Sequence, residues 1–177
     1  MKNILAFGAS SSRQSINKKW ASYVASQIKN ANVNVLDLND FEMTIYSIDK
    51  EKEDGIPSKA MKFKEHIRNS DGIIISFAEH NGAYSAAFKN IFDWVSRIEK
   101  DVWGNKPMFL MATSPGGRGG ATVLEIAYQK MKRMTSSEVN TFSLPSFSKN
   151  FTENEGISDA DLSKSFLEQL ESFEQNL

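Results

Sequence analysis

No cysteine occurs anywhere in the 177 residues. That excludes disulfides, thiolate metal sites, iron–sulfur clusters and cysteine nucleophiles, and it fits a cytoplasmic protein, the expected location. Histidine is scarce as well. His66 and His80 are too few and too far apart to indicate a histidine-rich metal site. Long apolar runs are also missing: Ile4-Leu5-Ala6-Phe7, the longest early one, is too short for a membrane span or the core of a signal peptide. Nor does one sign of charge dominate. With 21 basic and 22 acidic side chains the net charge is −1, so neither nucleic acid nor an anionic membrane is an expected partner.

What is present reads as one soluble domain spanning 1–177. Hydrophobic residues make up 40% and charged residues 24%, enough apolar material for a sizeable core. Charge is uneven along the chain. Residues 151–177 hold seven acids (Glu153, Glu155, Asp159, Asp161, Glu168, Glu171, Glu174) against Lys164 alone. Leu162, Phe166, Leu170 and Phe173 recur there at helical spacing, which predicts an amphipathic last helix with a solvated acidic face.

Strand and helix signals alternate. Asn3–Gly8, Val33–Leu38, Gly72–Phe77, Pro107–Thr113 and Glu138–Leu144 read as strands, the third being a continuous apolar run suited to a central parallel position. Between them, Ile16, Trp20, Tyr23, Val24 and Ile28 mark a helix face, and Ala60–Asn69 reads as another helix. Tyr84–Ile98, with Phe88, Ile91, Phe92 and Val95 inward, and a helix through Val123, Leu124, Ala127, Met131 and Met134 follow. Residues 39–58 read as loop. Five such alternations predict an α/β fold with a parallel sheet. In such sheets ligands bind beyond the carboxyl ends of the strands, where strand order reverses. With the order 2-1-3-4-5, three loops converge there.

The first, Ala9–Asn17, carries Ser10, Ser11, Ser12, Arg13, Ser15 and Asn17 at a helix N-terminus, where free N–H groups and the helix dipole favour an anion. Ordinary serine capping is the alternative. It is neither a Walker loop nor a Rossmann fingerprint. The second, Ala78–Ser85, offers His80, Asn81, Gly82 and Tyr84, a mixture suited to a flat heteroaromatic ring or, equally, to a simple Asn-Gly turn. The third, Ser114–Gly120, has four glycines in seven residues, and would bring backbone N–H groups against a ligand or merely connect strand to helix. No G-x-S-x-G elbow or catalytic triad signature accompanies the many serines. The side chains show no chemistry of their own, which points to a bound cofactor.

Taken together, these segments resemble the NADPH-dependent FMN reductase family of small flavodoxin-like proteins, which includes quinone, azo-dye and chromate reductases. Gly8–Asn17 (GASSSRQSIN) is similar to its phosphate loop. Glu79-His80-Asn81-Gly82 with Phe88–Trp94 is similar to its P-E-Y-N-G…L-K-N-x-x-D-W segment, and Ser114–Gly120 to its S-P-G-G-x-G-G loop. The sequence departs from the pattern at Ala78, His80, Ser85 and Ala86. The resemblance implies a doubly wound five-stranded parallel sheet with helices on both faces. It implies that Ser10, Ser12, Arg13, Ser15, Ile16 and Asn17 hold the FMN phosphate, that Glu79, His80, Asn81 and Gly82 border the ring and ribityl chain, and that Ser114 and Gly117 face the ring from the other side. The implied activity is ping-pong transfer of hydride from NADPH or NADH to the flavin and on to a quinone, azo, flavin or similar acceptor. A flavodoxin-type electron carrier, or a flavin-binding regulator without turnover, is the alternative. The resemblance also implies a homodimer or homotetramer, for which the helix with Phe88, Phe92 and Trp94 is the candidate contact surface, core packing of these aromatics being the alternative.

Overall fold

The apolar runs near residues 4, 73 and 109 form strands covered on both faces. The computed structural model describes residues 1–177. In it β1 (Lys2–Ala9), β2 (Ala31–Leu36), β3 (Gly72–Phe77), β4 (Met108–Thr113) and β5 (Val139–Leu144) form one sheet. The sheet is parallel throughout, in the order β2-β1-β3-β4-β5. The expected doubly wound, flavodoxin-like architecture is therefore present, with its reversal of strand order between β1 and β3.

Alternation along each strand builds two cores. Leu5, Phe7, Ile73, Ile75, Phe77 and Leu110 face one side, against α3 (Ser58–Arg68), α4 (Ala86–Val95) and α5 (Ala121–Met131). Ile4, Ala6, Ile74, Phe109 and Met111 face the other, against α1 (Ile16–Gln27) and α6 (Ala160–Gln175). Phe166, Leu170 and Phe173 line the buried stripe of α6, as their spacing predicts. β2 is an edge strand, which leaves Val33 and Val35 exposed.

Several boundaries differ from expectation. Residues 39–58 are not a plain loop: a 3-10 turn covers Leu38–Phe41, α2 runs Ile48–Asp54, and α3 begins at Ser58. No residue of α2 is buried, so it lacks the apolar periodicity by which a helix announces itself. Ser47 caps it, its Oγ accepting from Lys50 N at 3.2 Å. β2 lies two residues earlier than read, because Asp37 accepts from Asn39 N and turns the chain into the 3-10 helix. α4 starts at Ala86 rather than Tyr84. Tyr84 belongs to a two-residue hairpin, Glu79–His80 paired with Ala83–Tyr84, and Ser85 caps the helix. A one-turn helix (Phe147–Asn150) and a second small hairpin (Phe151–Thr152 with Gly156–Ile157) precede α6.

Candidate functional site

The loop after β1 turns sharply because α1 crosses directly over the strand end. A Cβ on Gly8 would lie 2.3 Å from Lys18 N, so this contact admits glycine alone. Ser15 is the N-cap of α1: its Oγ accepts from Lys18 N at 3.1 Å. Lys19 N donates to Ser15 O, which leaves the N–H groups of Ile16 and Asn17 without partners in the chain. Ser10 is buried and its Oγ accepts from Ser12 N. Lys18 reaches Asp37 at 2.5 Å, and this hydrogen bond holds the Asp37 carboxyl below the usual carboxylate range.

The Asn17 side chain is engaged within the fold. It is buried: Oδ1 accepts from Ser76 Oγ at 2.7 Å and from Thr113 N at 3.1 Å, while Nδ2 donates to Thr113 O at 3.2 Å. The carboxamide thus fastens α1 to β3 and β4, and the backbone N–H of Asn17 is left without a partner. Ser76 escapes a reading of motifs. A lone hydroxyl inside the buried run Gly72–Phe77 is nonetheless a signal, since a buried polar group requires a partner.

In the second loop Asn81 (φ 52°) and Gly82 (φ 75°) make the hairpin turn, both at positive φ as such a two-residue turn requires. Glu79 Oε2 accepts from Val123 N at 3.1 Å and so satisfies the first turn of α5. Ser85 is buried, donates to Ala9 O at 2.8 Å and accepts from Phe88 N at 3.2 Å, joining the hairpin and α4 to the end of β1.

The glycines of the third loop divide in two. Gly119 and Gly120 sit at positive φ, and added Cβ atoms would meet Ser143 Oγ and Ala112 Cβ at 2.4 and 2.9 Å. These two make the turn into α5. Gly116 and Gly117 are exposed, and a Cβ at Gly117 would meet nothing within 4 Å. Ser146 N and Phe147 N hold the loop by donating to Gly116 O and Ser114 O.

The three loops come together around a cavity of about 290 Å³ beyond the ends of β1, β3 and β4. Of the expected site residues, Ser10, Ser12, Ser15, Ile16, Asn17, Glu79, His80 and Ser114 line it, joined by Gln14, Ala78, Thr113 and Pro115. Arg13 faces the neighbouring cleft along α1 instead, and Asn81, Gly82 and Gly117 stand outside the wall.

The K-N-x-x-D-W segment works through another loop. Asn90 Nδ2 donates to the carbonyls of Met43 and Thr44 at 3.2 and 3.1 Å, its Oδ1 accepts from Tyr46 N at 2.8 Å, and Trp94 Nε1 donates to Thr44 O at 2.8 Å. Residues 43–46 are thereby clamped onto α4, where Met43 and Ile45 help to wall an apolar hollow of about 330 Å³ that reaches Ser11. Phe88, Phe92 and Trp94 are buried within the chain and so correct the expectation that they form a contact surface. Their period-3.6 apolar spacing is that of a core face.

No group of His, Asp or Glu is arranged to hold a metal. A cavity walled by serine hydroxyls, free helix N–H groups and two close-approaching loops fits a phosphorylated, planar cofactor.

Comparison with known proteins agrees. The 2-hydroxy-1,4-benzoquinone reductase of Burkholderia sp. is 33% identical over 111 residues, 62% of this chain and 58% of that protein. The quinone reductase of Escherichia coli K12 is 32% identical over 80 residues, 45% of this chain and 43% of the relative. The chain thus spans about half the length of these relatives. Among solved structures, FerB, a flavoenzyme NAD(P)H:(acceptor) oxidoreductase from Paracoccus denitrificans, superposes with a TM-score of 0.77 at 20% identity, covering 99% of this chain and 97% of its own. At that identity the likeness is one of fold. The family model described as NADPH-dependent FMN reductase matches residues 2–152, and with that span the chain belongs to the NADPH-dependent FMN reductase family.

Proposed function

We propose that the protein is an FMN-dependent NAD(P)H oxidoreductase acting by ping-pong transfer on a quinone, azo compound, flavin or similar acceptor. The observation that carries this reading is the convergence of the three family loops on one cavity at the reversal of strand order. Relatives named quinone reductase and NADPH azoreductase support the class of acceptor. When bound, FMN supplies the redox chemistry, taking hydride from the nicotinamide and returning electrons to the acceptor.

The chain's part is to bind and orient. The N–H groups of Ile16 and Asn17, with the hydroxyls of Ser10, Ser12 and Ser15, would meet the phosphate, while Arg13 stands on the neighbouring cleft. The Glu79–Tyr84 hairpin and the Ser114–Gly117 loop flank the ring. The Glu79 carboxylate is committed to α5, so it fixes the hairpin's position rather than exchanging protons with a substrate. The hairpin turn at Asn81-Gly82 and the open surface at Gly117 leave room beside the ring for nicotinamide and acceptor in alternation. The homodimer or homotetramer belongs to this proposal, with exposed Ile45 and Ile48 (77% and 48%) as its surface in place of the α4 aromatics. Sedimentation of wild type against Ile45→Glu tests that assignment.

The central experiment is anaerobic. Protein loaded with FMN is mixed with NADPH and the visible flavin absorbance is followed. Rapid bleaching, reversed by a quinone, is the expected result. Bound flavin that neither NADPH nor NADH bleaches would overturn the enzymatic reading and leave a carrier or regulator.

A further inference from the structure

Along the outer face of α1 runs a cleft of about 500 Å³ that shares Ser15 with the cofactor cavity. It lies between the helix and the small hairpin at residues 151–157, and its character is unlike that of the apolar hollow beside α4. Three cations stand on the helix side. Lys18 is neutralised by Asp37, but Arg13 has no ion-pair partner, and Lys19 has a loose one, 3.8 Å from Glu153 with both side chains at least half exposed. The cleft therefore carries available positive charge in a protein whose net charge is −1.

Its remaining groups are of the opposite polarity. Ser22 Oγ donates to Lys18 O at 2.8 Å and Ser26 Oγ to Tyr23 O at 2.7 Å. With those protons committed, the Ser22 oxygen is left as an acceptor on the cleft, suited to a hydroxyl or amino donor of a ligand, and Ser26 keeps one lone pair beyond the bond it accepts from Gln27 Nε2 at 3.1 Å. Tyr23 is the one aromatic wall. It is held at a fixed angle by Trp20 and Phe151, with ring centroids 5.7 and 4.8 Å away. Cations for a phosphate, acceptors for a sugar or an exocyclic amine, and an aromatic surface make up a nucleotide's complement. Glu153, at the mouth, is the single opposing charge.

We propose that this cleft is a second nucleotide subsite, taking the phosphorylated adenosine half of a dinucleotide whose other half occupies the loop cavity. The inference rests on the functional reading above, and adenylate has two sources within it. One is the 2′-phosphoadenosine end of NADPH; the other is the AMP half of FAD, should the flavin be held as the dinucleotide.

The test needs no turnover. 2′,5′-ADP is titrated calorimetrically into protein with and without saturating FMN, and FAD affinity is measured against FMN affinity. Both measurements are repeated on Lys19→Glu and on Ser22→Trp, which fills the cleft from its floor. FMN titration and the thermal midpoint report that the fold and the loop cavity are intact. Binding of 2′,5′-ADP that both variants weaken by about tenfold or more, the scale of a lost charge-assisted contact, supports the subsite and assigns it to the reductant. In that case KM for NADPH rises in Lys19→Glu far more than KM for NADH. A preference for FAD over FMN that both variants abolish supports it with the flavin's own adenylate as occupant. Absence of both effects, or binding indifferent to both substitutions, overturns it. NADH bleaching of bound FMN stays an independent readout, so this proposal and the functional one fail separately.

Discussion

Two strands and a helix meet at the carboxamide of Asn17, which accepts from Ser76 and Thr113 N–H and donates to Thr113 O. Removing it strands three buried polar groups, each of which costs about 1–3 kcal/mol when unpaired, with less than additive effect. Asn17→Ala is expected to lower unfolding free energy by about 3 kcal/mol in urea titration and to abolish FMN binding with it. Ser15 separates those two effects. Its Oγ is an N-cap acceptor, and aspartate caps helices as well as serine does. Ser15→Asp should therefore keep the thermal midpoint while placing a carboxylate against the cofactor's phosphate. Loss of FMN in a folded protein is the expected outcome, read by absorbance after desalting; stoichiometric flavin in that variant would remove phosphate binding from this loop.

Ser85 carries a similar load between elements. It caps α4 through Phe88 N and ties that helix to β1 through Ala9 O. Ser85→Ala is expected to cost about 1–2 kcal/mol, the usual penalty for a lost cap, visible as a lower urea midpoint with unchanged slope. α2 shows the reverse case. It has a cap, acids in its first turn and a glycine at its end, but no buried face, so it adds little to stability and gave little signal. On the same side of the sheet, α3 places Lys64, 1% exposed, against the carbonyls of Asp101 and Val102 and the carboxylate of Glu99. One buried ammonium thus anchors the segment that inserts Val102 and Trp103 into the core.

For the molecule as a whole, these charges set the response to pH. Asp37, Glu51 and Glu99 are all held below their ordinary values, chiefly by hydrogen bonds from Lys18, Arg97 and Lys64 respectively. Such groups contribute stability above their unfolded values, near 4, and that contribution disappears as pH falls through the folded ones. Burial pushes the Tyr84 hydroxyl the other way, up to about 12. Its contribution is complete below pH 10 and fades from there towards 12. The urea midpoint should thus fall on acidification below about pH 5, whereas at alkaline pH the loss from Tyr84 is opposed by Lys106, whose ammonium is held by burial below its ordinary value. A midpoint that rises on acidification would contradict the assigned pairs. FMN should stabilise the whole fold by linkage: at a hundredfold excess over Kd the gain is about 2.7 kcal/mol, or roughly 5–10 °C for a chain of this size. Scanning calorimetry with and without FMN measures it.

Much was legible before any coordinates, for physical reasons. Strands buried on both faces must be apolar throughout, so β1, β3 and β4 declared themselves, and with them the parallel sheet and the places of its loops. The serine-rich turn, the Asn-Gly turn and the glycine loop stood out because each needs residues that regular structure avoids. What the sequence alone determined is the α/β order, the family and the three segments that build the site. The tertiary structure decided which of those residues face the cavity. Asn17 turned inward because Ser76 and Thr113 needed a partner 59 and 96 residues away. Arg13 turned out to the cleft on α1, and Phe88, Phe92 and Trp94 turned to the core. Those outcomes depend on contacts between residues remote in the chain, where hydrogen-bond satisfaction and packing act on groups that no local pattern brings together.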